Sequence, residues 1–332
     1  MRRVLLLEDA VRKIETYSKW TLAGALAVVL IWASPSAFCL WRDALVDRSS
    51  ELVSDGRMKV LLGLHDEAQE LLERALDIDP DNTGALMEMG YLNSAAGRYA
   101  DAADYFRRAA ETSPANGDAW LNLGLACLSL EQYAEAEEAM RNALEADPNQ
   151  LLVPYRVMAE ARVRSGKRDE AIGLLEEGIA AIPDFRTYFL NTIEKRVAEL
   201  GAEDEEERFV LERIMADSLL DEELAAYDGA RVMETVRREQ VSRLHFDLAL
   251  LLAEERGTVD RAVEHYTQAL AMAPSFADAY LNRAMLRFSA GDFRAAWEDL
   301  QRAQQLGCQL PDGMLAAYGA AARSEQSAPA RP

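Results

Sequence analysis

GDAWLNLGLACLSLEQYAEAEEAMRNALEADPNQ (117–150) decides the fold, because the chain repeats its frame on both sides of it. Blocks 49–82 and 83–116 abut it in the same 34-residue register. One inserted residue leads to 152–185, and after a gap come 242–276, one residue longer than the rest, and 277–310. Position 20 of these blocks is Ala68, Ala102, Ala136, Ala171, Ala262 and Ala296; position 27 is Ala75, Ala109, Ala143, Gly178, Ala269 and Ala303. Position 8 is Gly56, Gly90, Gly124, Ala159, Ala249 and Ala284. Pro80, Pro114, Pro148, Pro183 and Pro274 close the blocks at position 32, with Cys308 in that place in the last. A period of this length marks a stacked array, in which each unit buries its apolar face on its neighbours. Small residues at 8, 20 and 27 let two antiparallel helices approach closely. The larger residues at 24 (Leu72, Phe106, Met140, Leu175, Tyr266, Leu300) are expected to fill the space between successive pairs. Proline after the second helix cannot continue it and fixes the turn into the next block. The expected fold is all-α, an α-solenoid of helix-turn-helix units.

The frame resembles the tetratricopeptide repeat. Block 117–150 shows this best, with Trp120, Leu123, Gly124, Tyr133, Ala136, Ala143 and Pro148 in the family's places, and the resemblance covers well over half of the 332 residues. It implies that the first helix of each pair lines a concave groove through positions 2, 5, 6, 9, 12 and 13. On this chain those positions give Leu121, Asn122, Leu125 and Leu128 in 117–150, and Leu281, Asn282, Met285 and Phe288 in 277–310. Block 83–116 adds Met87, Glu88 and Tyr91, and 152–185 adds Arg156, Glu160, Val163 and Arg164. Asparagine offers both a donor and an acceptor, suited to hold the backbone of an extended peptide while the apolar stripe buries side chains. The competing explanation is that these apolar residues pack on neighbouring helices. Members of the family that bind chaperone tails clamp a terminal carboxylate with lysine, asparagine and arginine at fixed groove positions. Position 5 here is Val53, Met87, Leu121, Arg156, Phe246 and Leu281, so that clamp is not assembled.

A formal charge of −21 repels phosphate backbones and argues against nucleic-acid binding. Cys39, Cys127 and Cys308 are odd in number and scattered, so they build neither a disulfide framework nor a paired-cysteine zinc site. Cys127, at position 11 of a first helix, reads as packing.

The amino-terminal segment speaks to location. WTLAGALAVVLIWASPSAFCLW (20–41) is 22 residues without a charge, and as a helix it would be about 33 Å long against a hydrocarbon core of about 30 Å. Trp20 and Trp41 sit at its ends as in an aromatic belt, with Arg2, Arg3, Arg12, Lys13 and Lys19 before it and only Arg42 and Arg48 just after. That asymmetry keeps the amino terminus cytoplasmic and exports the repeats. Residues 20–41 are therefore expected to be a single-pass signal anchor in the inner (plasma) membrane lipid bilayer, with the repeats periplasmic. The rival is a cleaved signal peptide, but the region before the apolar run is long and carries acids, and no Ala-x-Ala site follows. Residues 1–19 form a cytoplasmic amphipathic segment, with Val4, Leu7, Val11, Ile14 and Ser18 on one helical face. It either lies on the membrane surface or docks on another membrane subunit.

Between recognisable blocks, 186–241 contains no proline and few glycines and should be helical, either as degenerate repeats or as an insert that breaks the array. Leu190, Ile193, Val197 and Leu200 make one stripe; Ser218 with Asp221 resembles a capping box opening a later helix. The acidic run Glu203–Glu207 reads as a solvated face, or less simply as a docking patch. Residues 311–322 are expected to cap the array and 323–332, which end SAPARP, to be disordered.

Chemistry is hard to find. Asp77, Asp79, Asp81, Thr83 and Glu88 have the spacing of a calcium loop, but Asn82 holds the turn glycine's place and Pro80 stiffens position 4. His65, His245 and His265 have no i, i+4 partner of ligand type. No nucleophile elbow, phosphate loop or dinucleotide fingerprint appears. The expectation is no enzyme, no metal and no cofactor, but a scaffold recruiting protein partners to an envelope complex such as secretion or exopolysaccharide export. Two alternatives stay open: a self-assembling homo-oligomer or coat, and a regulatory subunit acting on a membrane synthase through the transmembrane helix.

Overall fold

The computed structural model describes residues 35–149, 152–183, 185–200, 204–205, 207–209, 211–212, 228–255 and 257–327. The expected amino-terminal extension (1–19), the anchor up to residue 34, the capping box at 218–221 and the last residues of the tail lie outside them. The regular secondary structure among the described residues is helical. It falls into two compact units, one ending at Ala146 and the other beginning at Asp147.

The first unit holds α1 (Pro35–Leu61), α2 (His65–Ile78), α3 (Thr83–Ala95), α4 (Tyr99–Thr112), α5 (Gly117–Ser129) and α6 (Tyr133–Ala146). They pack as pairs, α1 on α2, α3 on α4 and α5 on α6, and the pairs stack through α2 on α3 and α4 on α5. The close approach comes from the small residues. A Cβ built on Gly90 would lie 2.4 Å from the Phe106 ring, and one on Gly124 would lie 2.4 Å from Met140 Cε. Overpacking of that kind costs about 1–3 kcal/mol. Position 24 thus packs onto position 8 of its own pair, where the sequence reading had it filling the space between pairs. The reason is geometric: the missing Cβ leaves a slot that the partner helix's large side chain enters.

The turns are fixed as locally as the helices. Gly97, at position 15, is left-handed (φ 74°), with the Arg98 N–H closing on the Asn93 carbonyl at 2.9 Å. Glu131 holds the same place in 117–150 at φ 61°. At the other end of each unit, Asn82 and Asn116 accept from the N–H groups of Ala85 and Ala119 and cap α3 and α5.

The second unit holds α7 (Leu152–Arg164), α8 (Arg168–Ala181), α9 (Phe185–Glu199), α10 (Asp228–Ala253), α11 (Val259–Met272), α12 (Ala277–Ala290), α13 (Phe293–Gln305) and α14 (Met314–Ser327). Pairs form again, α7 on α8, α10 on α11 and α12 on α13, and α10 packs on both α7 and α8 as the next first helix. α9 stands beside that succession. Its Phe189 and Ile193 form a small core with Leu200, Leu211 and Met233, and its start is tied down by Asn149, which donates to the Tyr188 carbonyl and the Thr192 hydroxyl. Lys195 adds an ion pair to the buried Asp147. Glu207 of the acidic run accepts two bonds from Arg196.

One boundary differs from the sequence reading. α10 runs from Asp228 through the start of the frame at 242, within the stretch expected to be helical. α14 runs through Ser327, so residues 323–327 of the expected disordered tail continue the helix that packs on α13. Residues 35–41, the end of the expected anchor, are the opening turns of α1, which continues through Arg42, Asp43 and Asp47 into the first repeat. Among the described residues no helix is long and apolar enough to cross a membrane.

Candidate protein-binding groove

In the first unit the expected groove residues separate into two layers. Met87, Leu121 and Leu128 are buried. Tyr91 and Leu125, both at position 9, are 40% and 41% exposed, whereas Leu121 is 8% exposed. Asn122 Nδ2 donates to the Asp118 carbonyl at 2.7 Å and to the Tyr91 hydroxyl at 3.3 Å. Both of its amide hydrogens are thereby used, and what it offers a ligand is its carbonyl oxygen, not the donor and acceptor together. Tyr91 meets the Phe106 ring edge-on with centroids 5.5 Å apart. Burial raises the Tyr91 hydroxyl's pKa, with Asp118 and Glu88 adding to the effect, so it stays protonated at neutral pH. Glu88 is buried and accepts from Arg57 Nε at 2.7 Å. The last residue of the calcium-loop spacing is thus turned onto a groove arginine, and Asp79 caps the Asp81 N–H instead.

In the second unit the same positions are partly occupied. Arg156 is bound to Asp247, and Arg164 to Glu160 at 2.5 Å, so both groove cations are paired. Leu281 and Phe288 belong to a cluster with Tyr318 and Leu315 of α14. The Phe288 ring stacks on Tyr318 with centroids 4.0 Å apart and meets Phe293 at 5.1 Å. Asn282 is half-buried, and Met285 is 50% exposed. Leu250, also at position 9 and exposed, was not singled out from the sequence, although its place in the frame is the same signal that marked Leu125.

The groups set aside for chemistry are placed as follows. Burial pushes the Cys127 thiol up to about 11, with the charge of Glu135 adding, so it is not a thiolate near neutral pH. His245 and His265, unrelated by sequence spacing, meet across α10 and α11 with Nδ1 atoms 3.0 Å apart. Their ring centroids lie 5.2 Å apart, so the nitrogens face one another nearly head-on, as in a hydrogen bond with one ring donating and the other accepting. Among the described residues no three of His, Cys, Asp and Glu are grouped to hold a metal ion.

Paired helices with small residues at the seam and a half-wet apolar stripe along the first helices define a helical-repeat interaction array. Residues 62–116, 87–150 and 246–311 match the tetratricopeptide repeat family. The chain carries tetratricopeptide repeats, a fold of the non-enzymatic, interaction-scaffold type. Tetratricopeptide repeat protein 36 of Bos taurus is 38% identical over 79 residues, 24% of this chain and 41% of the relative. The Homo sapiens protein of that name is 42% identical over 60 residues, 18% and 32%. The chain thus matches less than half the length of these curated relatives. The solved structure of Pseudomonas aeruginosa pilF is 16% identical with a TM-score of 0.48, covering 86% of this chain and 98% of that one.

Proposed function

We propose that this protein is a membrane-tethered scaffold whose first helices capture partner proteins for an envelope complex, with residues 20–41 as its single-pass anchor and the repeats outside the cytoplasm. The carrying observation is the pair Tyr91 and Leu125, exposed at the same position of consecutive first helices, with Asn122 bonded to the Tyr91 hydroxyl. Apolar bodies flanked by a fixed acceptor oxygen suit an extended segment that buries side chains while its backbone N–H groups are satisfied. The tether rests on the uncharged run with tryptophan at both ends and the basic residues ahead of it.

Leu125→Asp is the variant that tests capture. Leu121→Asp would bury a carboxylate in the helix seam and confound loss of binding with loss of fold. In-cell crosslinking of the full-length chain is expected to recover a membrane-complex partner that Leu125→Asp loses while circular dichroism stays unchanged. Recovery of the same partner by the variant would remove the groove from the account. Protease added outside spheroplasts should cut the repeats; intact repeats would return them to the cytosol.

Self-assembly is favoured by a different observation, the apolar turn of the first repeat. Leu61 is 75% and Leu62 63% exposed there, beside exposed Met58 and Leu64. Sedimentation over a dilution series decides between the two, since a monomer at all concentrations excludes the oligomer.

A further inference from the structure

The second unit contains a cleft of about 560 Å³, and part of its wall lies outside the repeat frame. Val236 and Glu239 come from the part of α10 that precedes the frame, Leu152 and Val153 from the start of α7, and Phe276 from the turn into α12. The volume lies in the range of ligand-sized pockets. Val153 and Val236 are exposed side chains facing it from two helices. Arg243 completes the lining, with its guanidinium 4.7 Å above the Phe276 ring and 5.7 Å from Phe246.

The state of Arg243 sets the chemistry. Asp247, one turn further along α10, is already bound to Arg156. Among the described residues Arg243 is held by aromatic faces, with the Asp247 charge near it but bonded to Arg156. A guanidinium stacked in this way keeps its in-plane N–H donors, which suit a carboxylate accepting two parallel bonds. Glu239, a turn earlier on the same helix, puts a negative charge in the same lining. A ligand carboxylate is therefore drawn to Arg243 over the Phe276 ring, and the valines are left to cover an apolar neighbour.

We infer that this cleft docks a short protein segment carrying a carboxylate beside a bulky apolar side chain, with Arg243 taking the carboxylate and Val153 and Val236 the apolar group. This rests on the scaffold reading and names the class of partner for its second unit. The site is separate from Tyr91 and Leu125, which lie in the first unit.

Panning a random hexapeptide phage library on the full-length protein tests it, followed by fluorescence anisotropy of the enriched peptides. The enriched set is expected to pair Asp or Glu with Leu, Ile, Phe or Trp. Arg243→Gln should weaken it by about tenfold or more, and Val153→Asp should weaken it by repulsion without touching Arg243. Glu239→Gln should tighten it by a few-fold. Enriched peptides without an acid, or acid peptides that Arg243→Gln binds as well as the parent does, overturn the inference. Binding lost in Leu125→Asp but kept in Arg243→Gln also overturns it while leaving the scaffold reading intact. Enrichment on neither face would overturn both.

Discussion

Repeats 117–150 and 277–310 carry nearly the same residues at groove positions 5, 6, 9 and 12: Leu121, Asn122, Leu125, Leu128 and Leu281, Asn282, Met285, Phe288. They do different work. In the middle repeat position 12 is sealed within the first unit's core, whereas Phe288 lies under Tyr318 of the closing helix. Beneath the groove the contrast is sharper. Positions 7 and 23 are Leu123 and Ala139 in one repeat, but Arg283 and Asp299 in the other, buried and joined by two bonds of 2.7 and 2.9 Å. Arg287 adds a third bond to the same carboxylate at 2.8 Å. A repeat's letters therefore do not fix its surface. What packs over it does: the closing helix α14 covers Leu281 and Phe288, whereas Leu125 is exposed.

The largest expected effect breaks that buried network. Asp299→Ala leaves two arginines without their carboxylate and should cost about 3–5 kcal/mol, read as lost hydrogen-exchange protection in α12 and α13 with the first unit unchanged. Pairing it with Arg283→Leu recreates the apolar arrangement of the middle repeat and should recover most of the loss. If the double variant is as unstable as the single one, the contrast between the repeats is not electrostatic.

Next in size, Phe288→Ala should cost about 2–3 kcal/mol by emptying the contact with Tyr318. Leu125→Ala should cost less than about 0.5 kcal/mol, as expected of an exposed side chain. Equal costs in urea unfolding would mean that the two grooves are covered alike.

Acid should separate the units. Burial pushes His245 down to about 4, helped by the proximity of His265, whose own pKa is lowered chiefly by burial against the opposing charges of Glu264 and Glu176. The folded state thus refuses protons that the unfolded chain accepts from about pH 6.5 downward. Stability is fully present above that pH and falls as pH drops toward about 4. Discounted for the part of the rings that water reaches, the loss is about 1 kcal/mol. It should appear in the second unit's exchange rates between pH 7 and pH 5, and His245→Phe should reduce it to the share of His265.

The last effect is a gain. Glu131 sits at φ 61° where the closing repeat has Gly291 at φ 87°. Glu131→Gly should stabilise the first unit by about 1 kcal/mol, and Gly291→Glu should cost the second a similar amount. A neutral outcome for both would mean that the turn relaxes.

The repeat frame was legible because small residues at fixed positions have one explanation, close helix approach, and the buried alanines at 20 and 27 carry it. The groove was legible only to the level of which helix face carries it. Periodicity assigns Leu121 and Leu125 to one stripe, but a difference of four residues along the helix separates a seam residue from a surface one. Pairings across elements were not legible at all. Arg156 with Asp247 depends on which helix follows α8 in space, and the 186–241 stretch hides that from the sequence; His245 with His265 lies within one repeat and depends on which side chains its two helices turn toward each other. The early start of α10, which builds the cleft wall, was hidden for the opposite reason: an absence of breakers gives no signal of where a helix begins.

α1 runs unbroken from Pro35 to Leu61, and at about 1.5 Å per residue it is about 40 Å long. Such a helix is a torsion shaft as well as a spacer. Whatever grips its first turns also sets the rotational phase of the first repeat, because each residue advances the helix by about 100°. Two residues inserted between Arg42 and Val46 would swing Tyr91 and Leu125 about 200° around the shaft, while four would return them to within about 40° of where they began. The bearing of the first-unit groove is thus set by a count of residues, with no contact needed to hold it.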